Sequence, residues 1–269
     1  MDLAYIGSRF TGFQSQKDNN AIQDHLERAL AVVLGHGLRV RGASRTDSGV
    51  HAEQQVAVFS THRPYRETWI SGINAHLPVE IRVYRLVPVA QGFHPIRHAR
   101  AKAYRYRLWK GRCFDPFCLP YVWPVHQATN WGLFAEAACL FVGRHDFAGF
   151  RNQGSQSRTT VRTIIAIEVV DHEAMVDVWI QGDGFLKQMV RIIVGTMLAI
   201  AYGRKALSSI AEVFASGERV RAGLTAPANG LSLVEIFYEE IPELTTVIAR
   251  ANRGFTHGLA QPQARPLRS

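Results

Sequence analysis

An order of elements that occurs twice narrows most what this chain can fold into. In the first half, Leu3 to Ile6 reads as a short strand. Asn20 with Gln23 three residues later has the form of a capping box, and Ile22, Leu26, Leu30 and Val33 follow at helical spacing until Gly35 ends the run. Leu38 to Ala43 and Gln55 to Ser60 read as strands, the second through the alternation of Val56 and Val58. Pro64 to Leu77 reads as a helix with Trp69, Ile70, Ile73 and Leu77 turned inward and Pro78 as its stop. Ile81 to Leu86 closes the half as a strand.

The second half runs in the same order with more insertion. Ala103 to Trp109 alternates Tyr104, Tyr106 and Leu108 with Arg105 and Arg107, as a strand does. Trp131 to Val142 reads as a helix, Val161 to Val170 and Met175 to Gln181 as strands. Leu186 to Ala201 and Ala206 to Ala215 read as helices, and Ser232 to Tyr238 as a last strand. Both halves have the β-α-β-β-α-β order of ferredoxin-like folds. The expectation is an α+β protein of two ferredoxin-like modules, residues 1–102 and 103–242, whose antiparallel sheets flank a central catalytic cleft. A basic tail, 243–269, follows, with Arg250, Arg253, Arg265 and Arg268 and no acid after Leu244.

Two such modules need real cores, and 269 residues that are 47% apolar and 20% charged can build them. The net charge of +9 favours a polyanionic partner, because each phosphate neutralised by Lys or Arg releases counterions. Three cysteines, Cys113, Cys118 and Cys139, make no disulfide framework and fit a reducing compartment. The opening Met1-Asp2-Leu3 shows no secretory signal, and the apolar run Ile192 to Ala201 is too short to span a bilayer. The expected setting is the cytoplasm, off the membrane.

The least ordinary stretch is Ser44-Arg45-Thr46-Asp47-Ser48-Gly49-Val50-His51-Ala52. It follows a strand and holds a turn-permitting glycine, so it reads as a loop on a scaffold, where catalytic groups often sit. For an isolated Asp-Ser-Gly the bland reading, a turn aspartate bonding its own backbone, wins. Asp-Ser-Gly is also the short signature of aspartic proteases, which need two carboxylates sharing a proton in apolar surroundings. Arg45 and His51 beside Asp47 favour a lone ionised carboxylate instead and argue against that chemistry.

The whole string resembles the Gly-Arg-Thr-Asp-x-Gly-Val-His-Ala block of the tRNA pseudouridine synthase A family. Further blocks resemble that family in its order. They are Tyr5, Gly7, Phe10, Gly12, Gln14 and Gln16 with Gln23 and Glu27, then Asn74, Leu77 and Pro78, then Lys102-Ala103-Tyr104-Arg105-Tyr106. Gly184-Phe185-Leu186, Met189-Val190-Arg191, Ala226-Pro227 and Gly230-Leu231 follow. Ser44 stands where the family usually has Gly, Phe13 where it usually has Trp, and the Phe93 to Arg100 segment matches loosely.

The resemblance implies an isomerase that converts uridine to pseudouridine on the 3′ side of the tRNA anticodon stem-loop, positions 38–40. The reaction has no redox change, net hydrolysis or phosphate transfer, so no cofactor or metal is required, and the chain has no phosphate-binding Gly-x-x-x-x-Gly-Lys loop. The resemblance makes Asp47 the nucleophile, leaving open attack at the sugar C1′, attack at the base C6 or removal of a sugar proton, and makes Arg191 its ion-pair partner. It places Tyr104 against an extruded base and gives Arg45, Thr46, His51 and Arg97 to substrate binding. It also implies a homodimer that clamps tRNA.

Read from the residues alone, Arg191 is as readily the rim of a core helix, and Tyr104 a packing residue. Arg105 and Arg107 could set a basic face beside RNA or a solvated strand face. A ferredoxin-like RNA-binding protein without catalysis is the alternative from another class, though the aromatic block of an RNA-recognition module is missing. His94 and His98 are interrupted by Pro95, Cys113 and Cys118 lack a second ligand pair, and His145-Asp146 reads as a turn, so no metal site is expected.

Overall fold

The computed structural model describes residues 1–112, 115–125, 129–152 and 158–257, with side chains to residue 252. Cys113 and the tail arginines 265 and 268 lie outside that set, as does the side chain of Arg253.

Among the described residues ten strands form one sheet. In the first half they are β1 (Asp2–Tyr5), β2 (Arg41–Gly42), β3 (His51–Val58) and β4 (Ile81–Arg85), with helices α1 (Ile22–Leu34) and α2 (Thr68–Ala75). The second half supplies β5 (Ala101–Trp109), β6 (Trp123–Pro124), β7 (Gly143–Asp146), β8 (Val161–Asp171), β9 (Met175–Gly182) and β10 (Leu231–Phe237). Its helices are α3 (Trp131–Cys139), α4 (Met189–Ala201), α5 (Ser209–Ser216) and α6 (Leu244–His257). The spatial order is β4-β1-β3-β10-β5-β9-β8-β7, with β2 on β3 and β6 on β5. Along that order neighbours are antiparallel except at one seam, where β10 runs parallel to β3 through Ser232 opposite His51 and Leu233 opposite Ala52. The two halves therefore meet edge to edge in a continuous sheet and do not face each other across a cleft as expected from sequence. A short parallel register, placed where the Ser44–Ala52 motif ends, joins them.

Alternation along β5 decides what each face covers. Tyr104, Tyr106 and Leu108 enter the main core with α1 to α5, whereas Ala101 and Ala103 enter a smaller core closed by Leu244 and Val247 of α6. The segment expected as a basic tail thus begins as an amphipathic helix that covers the back of the sheet. Eleven of the thirteen residues of α4 are buried, so the apolar run is a core helix. No helix among the described residues is long and apolar enough to cross a membrane.

Several boundaries moved for local reasons. The strand expected at Leu38 to Ala43 shrinks to β2, because the Val40 N–H donates to Glu27 Oε1 at 2.9 Å instead of to a strand. The first helix is capped by Asp24, whose Oδ2 accepts from the Ala21 N–H at 2.9 Å, and not by Asn20. Gln23 instead accepts from Ser15 N and donates to Glu27. His145 and Asp146 belong to β7, an edge strand the sequence pattern did not suggest.

Candidate active site

Residues 43–50 form a short loop from β2 into β3, and close backbone approach holds it. Gly12 has φ +101°, and a Cβ there would lie 2.8 Å from the Thr46 carbonyl oxygen. Without a side chain it lets the Phe13 N–H donate to that carbonyl at 3.1 Å. Gly7 abuts the Val50 carbonyl, which an added Cβ would meet at 1.9 Å. The loop closes on itself through Val50 N donating to the Asp47 carbonyl at 3.1 Å. Beneath it lies a buried polar network. Gln55 Nε2 donates to the Ser44 carbonyl at 2.7 Å and its Oε1 accepts from Ser44 N at 3.1 Å. Tyr5 and Thr46 share a hydrogen bond of 2.8 Å. Thr46, expected to bind substrate, is buried here as part of the scaffold.

Asp47 is held from the other half of the chain. Arg191, the one charged residue of α4, donates from Nη1 to Asp47 Oδ2 at 3.0 Å and from Nε to the Ala226 carbonyl at 2.7 Å. Ala226 N returns a bond to the Arg191 carbonyl at 3.1 Å. That clamp depends on Gly195 and Gly223, where a Cβ would meet Leu224 O at 1.9 Å and the Thr196 backbone at 2.5 Å. Gln188, immediately before α4, carries a left-handed φ of +61°, a strained turn that brings Lys187 near the site. Burial pushes the Asp47 carboxyl above its usual range, opposed first by Arg191 and then by Lys187. From its neighbours in sequence that electrostatic role fell to Arg45 and His51, and by resemblance to Arg191, which the structure does place on the carboxylate. The cations that act are remote in sequence, and burial outweighs them. Both side chains are mostly buried, 19% exposed for Asp47 and 12% for Arg191, so the pair is dry enough for its geometry to matter.

Tyr104 lies beside this pair. Its hydroxyl shares a 2.7 Å hydrogen bond with Ser44 Oγ, its ring meets Phe185 edge-on at 5.0 Å, and the Asp47 charge acts on it. Tyr106, two residues on, donates to the Pro227 carbonyl at 2.7 Å and so fixes the 226–230 segment from below. Lys102, on the same face of β5, reaches the Ala43 carbonyl at 2.8 Å.

The remaining candidates separate. His51 is buried with both ring nitrogens used: Nδ1 accepts from Gly7 N at 3.1 Å, and Nε2 donates to the carbonyls of Pro120 at 2.9 Å and Asn229 at 3.2 Å. Burial holds its pKa down. It has no free nitrogen to offer a substrate, and it ties three loops together. Arg45 is exposed and lines a groove of about 760 Å³ with Arg41, Gln14 and His94. Arg97 is exposed near that groove's His94 turn, whose Nδ1 accepts from the Arg97 N–H. Arg105 and Arg107 form no open basic face. Arg105 is buried over Trp179, 4.9 Å from the ring centroid, and pairs with Glu53, and Arg107 sits 3.8 Å from Asp177. Among the described residues no cluster of His, Cys, Asp or Glu could hold a metal.

Two cations near the pair were given no role from the sequence, although Lys102 stands in one of the matching blocks. Lys187 carried no spacing signal, since a loop lysine looks like any solvated charge. Lys102 did carry one, being a cation on the core-facing side of a strand whose neighbours there are Tyr104, Tyr106 and Leu108.

A family model described as tRNA pseudouridine synthase matches residues 3–94 and 137–239. A tRNA pseudouridine synthase A of Myxococcus xanthus is 40% identical over 249 residues, covering 91% of this chain and 94% of its own. The tRNA pseudouridine synthase A of Syntrophotalea carbinolica is 38% identical over 88% of this chain and 94% of its own. That of Acetivibrio thermocellus is 38% identical over 88% and 97%.

Proposed function

This chain belongs to the tRNA pseudouridine synthase family, and from that premise we propose that it isomerises uridine to pseudouridine in tRNA with Asp47 as its catalytic carboxylate. The reaction breaks the uridine N1–C1′ bond, turns the uracil and rejoins it through C5. C5 loses a proton and N1 gains one, so nothing enters or leaves and no cofactor is needed. The observation that carries the reading is the Asp47–Arg191 pair. Arg191 holds Oδ2, while Oδ1 has no hydrogen bond among the described residues and is the atom free to act as nucleophile. Tyr104 packs against the extruded base. Arg45, exposed at the mouth of the loop, contacts phosphate and fills the space of the flipped base, and Arg97 adds to the same charged rim. Thr46 and His51 serve the substrate indirectly, by holding the loop in place.

The substrate is the 3′ side of the anticodon stem-loop, positions 38–40, and the enzyme works as a cytoplasmic homodimer clamping one tRNA. The net charge of +9 supports a polyanionic substrate. The two modules, 1–102 and 103–242, are each ferredoxin-like. Strand orders β4-β1-β3-β2 and β10-β5-β9-β8 support this, with β7 an addition at the edge and 243–269 a C-terminal extension.

The deciding experiment measures pseudouridine in an unmodified tRNA transcript incubated with wild-type protein or Asp47→Asn, each with and without a chelator. Wild-type activity that survives chelation and vanishes in the variant, with tRNA binding kept, is the expected result. Binding without pseudouridine from either protein would replace the enzyme with an RNA-binding module.

A further inference from the structure

We propose that Lys102 is a positioning residue for the reaction, acting through Ser44 to fix both Tyr104 and the start of the Asp47 loop. This rests on the roles given above to Asp47 and Tyr104. Lys102 lies on the core-facing side of β5, two residues before Tyr104, and is 8% exposed. Its Nζ donates to the Ala43 carbonyl at 2.8 Å and reaches Ser44 Oγ at 3.5 Å. Ser44 Oγ in turn shares the 2.7 Å hydrogen bond with the Tyr104 hydroxyl. Among the described residues the one side chain that orients Tyr104 through a hydrogen bond is therefore itself held by a buried ammonium. Through Ala43 and Ser44 the same ammonium fixes the backbone that leads, three residues later, to Asp47.

The cost of this arrangement argues that it is kept for function. Among the described residues no carboxylate pairs with Lys102, and the charged group that acts on it is Arg162, another cation. Burial, with a smaller push from Arg162, lowers its pKa to about 8. An ammonium buried against neutral oxygens costs stability relative to an apolar chain of the same length. A purely structural position facing Tyr106 and Leu108 would be served better by methionine. Hydrogen bonds that hold a base-facing ring and a carboxylate loop at once are what productive geometry demands of its surroundings.

The test compares wild type, Lys102→Met, Ser44→Ala and the double variant for kcat, KM on tRNA and thermal midpoint. The expected result for Lys102→Met is a fall in kcat of about 10- to 100-fold, as for a small misplacement of reacting groups. KM is expected to change by less than about 3-fold, because phosphate contacts set tRNA affinity, and the midpoint is expected to stay equal or rise. Ser44→Ala should reproduce the kcat loss, and the double variant should add little to it, because both act on one linkage. Full kcat in Lys102→Met overturns the proposal, as does a kcat loss accompanied by a matching loss of thermal stability. Should Lys102→Met fail to fold, Ser44→Ala decides, and wild-type kcat there is the overturning result. A wild-type protein that makes no pseudouridine would instead remove the functional reading itself, which these outcomes leave distinguishable.

Discussion

Arg191 grips Asp47 and the Ala226 carbonyl with two different nitrogens of one guanidinium, at 3.0 and 2.7 Å, so the carboxylate is aimed by a group that cannot swing away. A planar fork is needed for that double hold, which an ammonium cannot reproduce. Arg191→Lys should therefore keep a cation yet lose kcat by about 10²-fold or more. Arg191→Met should in addition leave Asp47 buried and unpaired. The expected destabilisation is about 2–3 kcal/mol, below the full figure for a buried pair because both side chains keep some solvent. Urea melts alongside steady-state kinetics check both, and an Arg191→Lys enzyme with normal kcat would contradict the clamp.

The same pair fixes a pH dependence. Burial raises the Asp47 pKa above its ordinary 3.8, with Arg191 and Lys187 only partly opposing it. Activity that needs the ionised carboxylate should fall on the acid side with a midpoint above that value. Lys187→Met removes one opposing cation and should move the acid limb to higher pH. The linkage sign also follows. A carboxyl whose folded pKa lies above its unfolded one contributes stability below the unfolded value and loses it as pH rises through the folded value. At neutral pH, Asp47→Asn should accordingly be no less stable than wild type. A kcat profile whose limb stays fixed in Lys187→Met would show that the lysine is electrostatically silent.

How much of this was legible in the sequence divides along physical lines. The element order and the Asp47–Arg191 pairing could be reached, the first from periodicity and the second through the family resemblance. Local pattern does not report how two halves join. The parallel seam at His51 and Ala52 depends on β10, some 180 residues away, and nothing near the motif announces it. Exposure was misjudged for the same reason: Arg105 and Arg107 alternate with tyrosines as a solvated strand face would, but Trp179 and Glu53 hold one and Asp177 pairs with the other. Thr46 and His51 sit in the most distinctive block of the chain, and motif membership did not report that both side chains are buried in hydrogen bonds that hold the loop.

Gly12 offers a direct probe of that holding. Its φ of +101° is a conformation L side chains rarely adopt, and a Cβ would press on the Thr46 carbonyl at 2.8 Å. Gly12→Ala should cost about 1–3 kcal/mol in stability and shift the Asp47 loop. The expected kcat loss is about 10²-fold with tRNA affinity largely kept. Isothermal binding with a tRNA transcript, set beside kcat, separates the two quantities. Equal losses in both would mean that Gly12 shapes the tRNA surface and not the loop.

His51 can be assigned by asking which property fails when it is removed. Its ring receives the Gly7 N–H and donates to the Pro120 and Asn229 carbonyls, so His51→Ala orphans a buried donor and opens a cavity beside Tyr121. A loss of about 2–4 kcal/mol is expected. Burial depresses its folded pKa below 6.5, and this kind of shift contributes stability that is present above the unfolded pKa and lost as pH falls through the folded one. Wild type should therefore weaken as pH drops below about 6.5, where His25, also depressed, adds to the slope. His51→Ala should be less stable throughout and should lose part of that slope, while its tRNA dissociation constant at low temperature stays near wild type. A variant that melts normally but binds tRNA poorly would return His51 to the substrate surface, where its place in the motif first suggested it belonged.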